Sequence, residues 1–275
     1  MSATLGFTPA IAVSADQKTE YLGFARSAAR AAGDAILPYF RSRMQVTNKL
    51  SGQGFDPVTL ADQASERVIR AAIEDAYPDH GIFGEEFGLK SGNGLTWVID
   101  PIDGTRAFMT GMLHWGVLLA LFDGEQPIVG VMYQPYTDEL FSGDNESAWY
   151  ERAGESRSLE TSACRRVDEA CLSTTGIDWL PASKQGRFRQ LSQATKLTKM
   201  GGDCYLFGML AIGSLDLGVE AGLNAYDIQA LMPIVRGAGG VVTDWEGGNP
   251  SLGGTVLASA TQELHSEAMT LLGSS

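Results

Sequence analysis

Histidine and cysteine are scarce in this 275-residue chain, with three of each. Cys164, Cys171 and Cys204 are odd in number and lack metal-ligand spacing, so free thiols in a reducing cytoplasm are expected. His80, His114 and His265 are scattered. His80 falls in a turn and His265 on a C-terminal helix, and both read as surface positions. No Ser/His/Asp spacing suggests a side-chain nucleophile. Basic residues are outnumbered, 20 Lys and Arg against 33 Asp and Glu, for a formal net charge of -13. Such a surface argues against nucleic acid or an anionic membrane as partner. No apolar run reaches the roughly 20 residues of a membrane-spanning helix. The first stretch, MSATLGFTPAIAVSADQKTEYLG, has no basic segment before its mild apolar patch. Residues 1–18 therefore read as a loose lead-in rather than a signal peptide.

What is present is a 44% hydrophobic chain able to bury a sizeable core. Helical periodicity covers 20–43, with Pro38 near its end, and 60–77, stopped by Pro78. GIFGEE and LTWVID read as strands, WGVLLALFDGEQPIVGVMYQP as a hairpin, and DELFSG and SAWYERAG as further strands. Beyond residue 150 strands alternate with helices: EACLST, LDLGVEAG, GGVVTDW and TVLASA against GRFRQLSQAT, CYLFGMLAIGS, DIQALMPIVRGAG and ELHSEAMTLLG. Residues 19–150 form an α+β half and 151–275 an α/β half, sharing one layered unit without a linker.

The segment WVIDPIDGTRAF, 97–108, ends an apolar run in two carboxylates, Asp100 and Asp103. Pro101 disfavours helix at Asp100, so the strand can run extended to that carboxylate, and Gly104 permits a sharp turn. The motif offers hard oxygen ligands, the Ile102 carbonyl between them and a helical turn beyond whose N–H groups suit an anion. A solvated strand-end turn is the alternative reading. Four further acids and a threonine join the set. Glu85 follows GIFG, Asp56, Thr59 and Asp62 surround the start of a helix, and Asp227 begins another. Taken singly, Asp56 and Asp227 could be N-caps and Asp62 a solvated helical position.

In order and spacing, DPVTLAD, GEE, WVIDPIDGT and YDIQALMPIVRGAGGVVTDWEG resemble the inositol-monophosphatase superfamily of metal-dependent, lithium-sensitive phosphatases, over roughly residues 20–272. The resemblance implies an αβαβα sandwich with the active site between the halves. It implies that Glu85, Asp100 and the Ile102 carbonyl hold one Mg²⁺ (Mn²⁺ as substitute), and that Asp100, Asp103 and Asp227 hold a second. Asp62 and Thr105 would orient and activate water, and the Gly104 and Thr105 N–H groups would meet phosphate. Asp56 would support a third ion or the Thr59–Asp62 network. A small phosphorylated metabolite as substrate and a homodimer are the implied partners.

For the substrate, TRAFMTGMLHWGVLLAL, KMGGDCYLFGMLAIGSLDLGVEAGL and GAGGVVTDWEG are similar to the histidinol-phosphate phosphatases of that superfamily. Asp203 and Glu220 would face the leaving group, where two acids suit a cationic alcohol; Asp203 could instead be a helix N-cap. Met112 and His114 depart from the expected His-Pro-Leu-Trp, and GLNAYD from GLKPYD. An inositol-1-phosphate or broad sugar phosphatase is the alternative, and a non-catalytic binding protein on the same fold is a third reading.

Overall fold

The computed structural model describes residues 5–42, 46–48 and 57–273, with backbone alone for 46–48 and 57–59. Ser14 starts α1 (Ala15–Ile36) through a reciprocal capping box with Gln17. The helix thus begins inside the stretch read as lead-in. The lead-in itself is docked, since the N–H groups of Thr8 and Ile11 donate to the carbonyls of Gly124 and Asp123. Pro38 sits in a single 3₁₀ turn, Leu37–Tyr39. A short ribbon of β1 (Val46–Asn48) and β2 (Pro57–Thr59) precedes α2 (Leu60–Ala76). Then come β3 (Gly81–Gly84), β4 (Gly88–Lys90), β5 (Thr96–Asp103) and α3 (Thr105–Met109). The antiparallel run β6 (Gly116–Phe122), β7 (Pro127–Gln134), β8 (Glu139–Gly143), β9 (Ala148–Arg152) and β10 (Glu155–Ser158) completes an eight-stranded sheet. That sheet continues through Ser158.

The second half holds β11 (Cys171–Thr174), α4 (Ala182–Ala194), β12 (Leu197–Met200), α5 (Tyr205–Ala211), β13 (Leu217–Asn224), α6 (Ala225–Ile228), α7 (Leu231–Gly237), β14 (Val241–Thr243), β15 (Gly253–Ser259) and α8 (Gln262–Gly273). Its five strands run in the order β12-β11-β13-β15-β14. The helix expected over DIQALMPIVRGAG is two helices, α6 and α7, meeting at 229–230.

Residue parity explains the layers. On β6, Val117, Leu119 and Leu121 join the core beneath α1 and α2, while Leu118, Ala120 and Phe122 join the core shared with α5 and α7. A strand buried on both faces must be apolar at every position, which is why GVLLALF carries no polar residue. The second sheet packs its far face on α4 and α8 through Leu172, Leu217, Leu264 and Leu272. Five layers result, αβαβα. Two histidines read as surface residues are buried. His265 hydrogen-bonds Thr243 Oγ1 and Ser259 Oγ, each at 3.0 Å, and His80 stacks on Tyr77. Among the described residues no helix is long and apolar enough to cross a membrane.

Candidate metal centre and phosphate seat

Residues three apart on a regular strand point to opposite faces. Between Asp100 and Asp103 the pairing of β5 with β6 shifts register: Asp100 faces Leu118 and Asp103 faces Gly116, so β5 carries one extra residue there. The extra residue resets parity. Trp97, Ile99 and Ile102 lie in the core beneath α1 and α2, which leaves Asp100 and Asp103 on the face toward the second half. There they meet Asp227, and one carboxylate oxygen from each of the three lies within 4.8 Å of the others.

Asp227 comes from α6, which follows β13 of the second sheet. Asn224 at the end of β13 caps α6, and Asp227 Oδ2 accepts the Asn224 N–H at 2.6 Å in a capping box. Asp227 is therefore not the cap; Asn224 is, which gives the departure at GLNAYD a structural role. Glu85 follows β3, which runs parallel to β5 with Gly84 opposite Ile99, so Glu85 emerges beside Asp100. Asp62, buried on the first turn of α2, completes the set of acids acting on Asp100.

Electrostatics decides what this arrangement requires. Two full negative charges 4.8 Å apart repel by about 3 kcal/mol at an effective dielectric near 20. Three such pairs approach the ~5–15 kcal/mol that holds a whole domain folded. The cluster must take up protons or a cation. The protonation shifts agree. Burial raises Asp100 well above the carboxylate range, helped by Glu85, Asp103, Asp227 and Asp62. Burial also raises Asp103, reinforced by Asp227 and Asp203 and opposed by Cys204. Asp227 is pushed up to about 7 by burial and Glu85, against the Asn224 hydrogen bonds. A site of hard carboxylate oxygens suits Mg²⁺ or Mn²⁺, so the donors fit the expected ions.

Next to the triplet, Gly104 sits at φ 81° as N-cap of α3, and a Cβ there would lie 2.6 Å from the His114 carbonyl oxygen. Both the turn and the close approach require glycine. Thr105 Oγ1 donates to the Ile102 carbonyl at 3.1 Å, and the Ile102 N–H donates to Asp100 Oδ1 at 3.1 Å. The turn thereby locks Asp100, Ile102 and Thr105 together.

Two further acids adjoin the triplet: Asp203 acts on Asp103, and Asp203 and Asp227 act on Glu220. Asp203 is not a helix cap: Cys204 holds that position of α5 without a side-chain bond, and Asp203 takes φ 44°. Its Oδ2 lies 3.6 Å from His114 Nδ1. Burial raises Asp203, while His114 and Arg106 pull it down. Glu220 on β13 is pushed up to about 8 by burial, against the Thr175 N–H that it accepts and with help from Asp203 and Asp227. Arg106, next after Thr105, stacks on Trp179 at 3.9 Å and bridges the halves. Sequence reasoning passed over Arg106, Trp179 and Thr175: Arg106 lies in the WVIDPIDGTRAF motif but its partner Trp179 comes from the second half, and Thr175 meets Glu220 only through the pairing of β11 with β13. Asp56 and the Thr59 side chain lie outside the described residues.

A family model described as the inositol monophosphatase family matches residues 17–274. The chain is 33% identical over 259 residues to a histidinol-phosphatase of Chlorobaculum parvum, covering 93% of this chain and 97% of that protein. It is 36% identical over 222 residues to the chloroplastic bifunctional phosphatase IMPL2 of Arabidopsis thaliana, covering 80% of this chain but only 62% of that relative's length. The solved structure of an inositol monophosphatase from Zymomonas mobilis matches with a TM-score of 0.83 at 35% identity, covering 95% of this chain and 100% of that one.

Proposed function

The chain belongs to the inositol monophosphatase family, whose members are metal-dependent phosphatases acting on small phosphorylated substrates, and from that premise we propose that it is a Mg²⁺-dependent histidinol-phosphate phosphatase. The observation that carries the substrate is the second acid pair. Asp203 is held off any capping duty, with burial, between Asp103 and Glu220, and already stands near a basic group, His114. Two acids beside a leaving alcohol suit an ammonium; a neutral polyol would have to desolvate them without compensation.

Uncatalysed monoester hydrolysis needs on the order of 20 kcal/mol of barrier removed. Mg²⁺ supplies the positive charge that binds the phosphate dianion, and it lowers the pKa of a bound water. The residues do the rest in this reading. Glu85, Asp100 and the Ile102 carbonyl would hold one ion, and Asp100, Asp103 and Asp227 would hold another. Thr105 Oγ1 spends its proton on the Ile102 carbonyl, so its lone pairs accept an O–H of the attacking water. Asp62 takes the proton of that water. The Gly104 and Thr105 N–H groups meet the phosphate oxygens, and Asp203 and Glu220 bind the departing amino alcohol. Asp56 supports a peripheral third ion or the Thr59–Asp62 network. The same reading includes a cytoplasmic homodimer; a monomer mass in light scattering at micromolar concentration counts against the dimer.

The second reading, an inositol-1-phosphate or broad sugar phosphatase, draws on the match to the Zymomonas mobilis inositol monophosphatase. Phosphate release from histidinol phosphate, inositol-1-phosphate, fructose-1,6-bisphosphate and adenosine 3',5'-bisphosphate, with and without Mg²⁺, separates them. Histidinol phosphate is expected to lead at least about tenfold, as one ion pair provides. Equal rates with inositol-1-phosphate promote the second reading. No release from any substrate would leave a non-catalytic protein.

A further inference from the structure

One more acid is fully buried outside the carboxylate triplet. Glu66 lies one turn after Asp62 on α2 and is 0% exposed. It does not act within the cluster; it reaches the β3–β4 connection, residues 85–87, which begins with Glu85. Glu66 Oε2 accepts the Glu86 N–H at 2.7 Å, and Oε1 accepts the Phe87 N–H at 3.3 Å. Arg70 Nε donates to Oε1 at 2.7 Å, and Arg70 Nη2 donates to the Gly88 carbonyl. The Glu85 N–H is held by the Ile99 carbonyl of β5 at 3.2 Å. Each backbone donor of the three-residue connection is therefore tied down, one by β5 and two by Glu66. Gly84 admits the carboxylate, since a Cβ at that position would lie 1.9 Å from Glu66 Oε1.

We propose that Glu66 is a positioning residue for metal binding: its carboxylate fixes the connection that aims Glu85 at Asp100. The proposal rests on the reading of Glu85 as a metal ligand. Three donors converge on two oxygens, which only a carboxylate can accept in full. Glutamine at 66 would set its own NH₂ against one of those donors and tilt the connection. Groups that orient a ligand typically cost about 10–100-fold in metal affinity when changed.

The test compares full-length wild type, E66Q, E66D and E85Q by Mn²⁺ titration without substrate, followed by calorimetry and electron paramagnetic resonance. Thermal unfolding and the Mg²⁺ dependence of phosphate release accompany it. E66Q is expected to bind Mn²⁺ at least about tenfold more weakly, while its kcat at saturating Mg²⁺ stays within about threefold of wild type and its substrate KM is unchanged. E66D, which keeps the charge but withdraws it by one methylene, is expected to fall between them, and it stands in if E66Q does not fold. Wild-type Mn²⁺ affinity in the folded Glu66 variants, alongside weakened binding in E85Q, overturns the proposal, even if unfolding temperature drops. Wild-type affinity in E85Q instead removes the ligand reading of Glu85 on which it rests.

Discussion

Asp103 Oδ2 accepts the backbone N–H of Cys204 at 2.6 Å, so a carboxylate of the first sheet holds the start of a helix in the second half. One oxygen of Asp103 fastens the halves together while the residue also belongs to the triplet around Asp100 and Asp227. D103N keeps an oxygen to accept that N–H and sheds one repelling charge. Its metal-free form is expected to unfold at or above the wild-type temperature while turnover falls at least about a hundredfold, as loss of charge at a metal ligand implies. D103A loses the inter-half bond as well, leaves the Cys204 N–H without its acceptor, and should be less stable than D103N by about 1 kcal/mol or more. Thermal unfolding paired with phosphate release reads both; equal stability of the two variants contradicts the fastening role.

Asp100 is proposed to bridge two ions and Asp56 at most to support a peripheral one. D100N is therefore expected to cost far more turnover than D56N. Similar losses in steady-state kinetics overturn that division.

Chelation should abolish turnover, and added Mg²⁺ should raise the unfolding temperature more at pH 8 than at pH 6. The sign follows from Asp227, raised to about 7, and from Asp100 and Asp103, raised with it. A group whose folded pKa exceeds its unfolded value favours the folded state while protonated and loses that contribution as pH rises through the folded value. The metal-free protein thus weakens toward pH 8, where a cation has most repulsion to neutralise and least competition from protons. Thermal melts at the two pH values, with chelator and with Mg²⁺, test this; an equal or smaller gain at pH 8 counts against it.

D203N should raise the KM for histidinol phosphate about tenfold or more and leave a neutral sugar phosphate nearly unchanged. Glu220, pushed up to about 8, is largely protonated at neutral pH in the free protein. An ammonium arriving beside it should draw that proton off. Histidinol phosphate binding is expected to release protons, visible as calorimetric heats that vary with buffer ionisation enthalpy, and E220Q should remove that component. The same KM in D203N for both substrates argues for the broad-phosphatase reading.

His265 is buried between two hydroxyl groups, and burial lowers it to about 4. The unfolded chain takes up this proton near the ordinary value of about 6.5 and the folded protein only near 4. Stability is complete above the higher value and lost as pH falls toward the lower, by about 2 kcal/mol after allowance for solvent screening. H265Q should flatten that part of the curve in urea unfolding between pH 4 and pH 7. An unchanged slope contradicts the assignment.

The ends of strands and the acids that follow them were legible because Pro101 and Gly104 fix local backbone whatever the tertiary context. The bulge that turns Asp100 and Asp103 to one face was not, since register belongs to the pairing of β5 with β6 rather than to either strand. Glu66 and Arg70 spell an ordinary i,i+4 pair of the kind found on solvated helices. Their burial comes from the β3–β4 connection lying over them. His265 misled for the same reason. The exposed face of a terminal helix and the face seated on a sheet differ here only in which neighbours arrive, and α8 seats that residue against β14 and β15.

Asp100 lies on β5 and Asp227 on α6 after β13, far apart in the chain, so an ion held by both would join the halves. Unlike a disulfide, the ion leaves the unfolded chain unconstrained and stabilises by binding the native state alone. Here the fastening would be reversible and set by ion concentration. Binding through contacts that form only when the halves dock would slow unfolding more than it speeds refolding. The chemistry that hydrolyses the substrate would then also govern the lifetime of the native state.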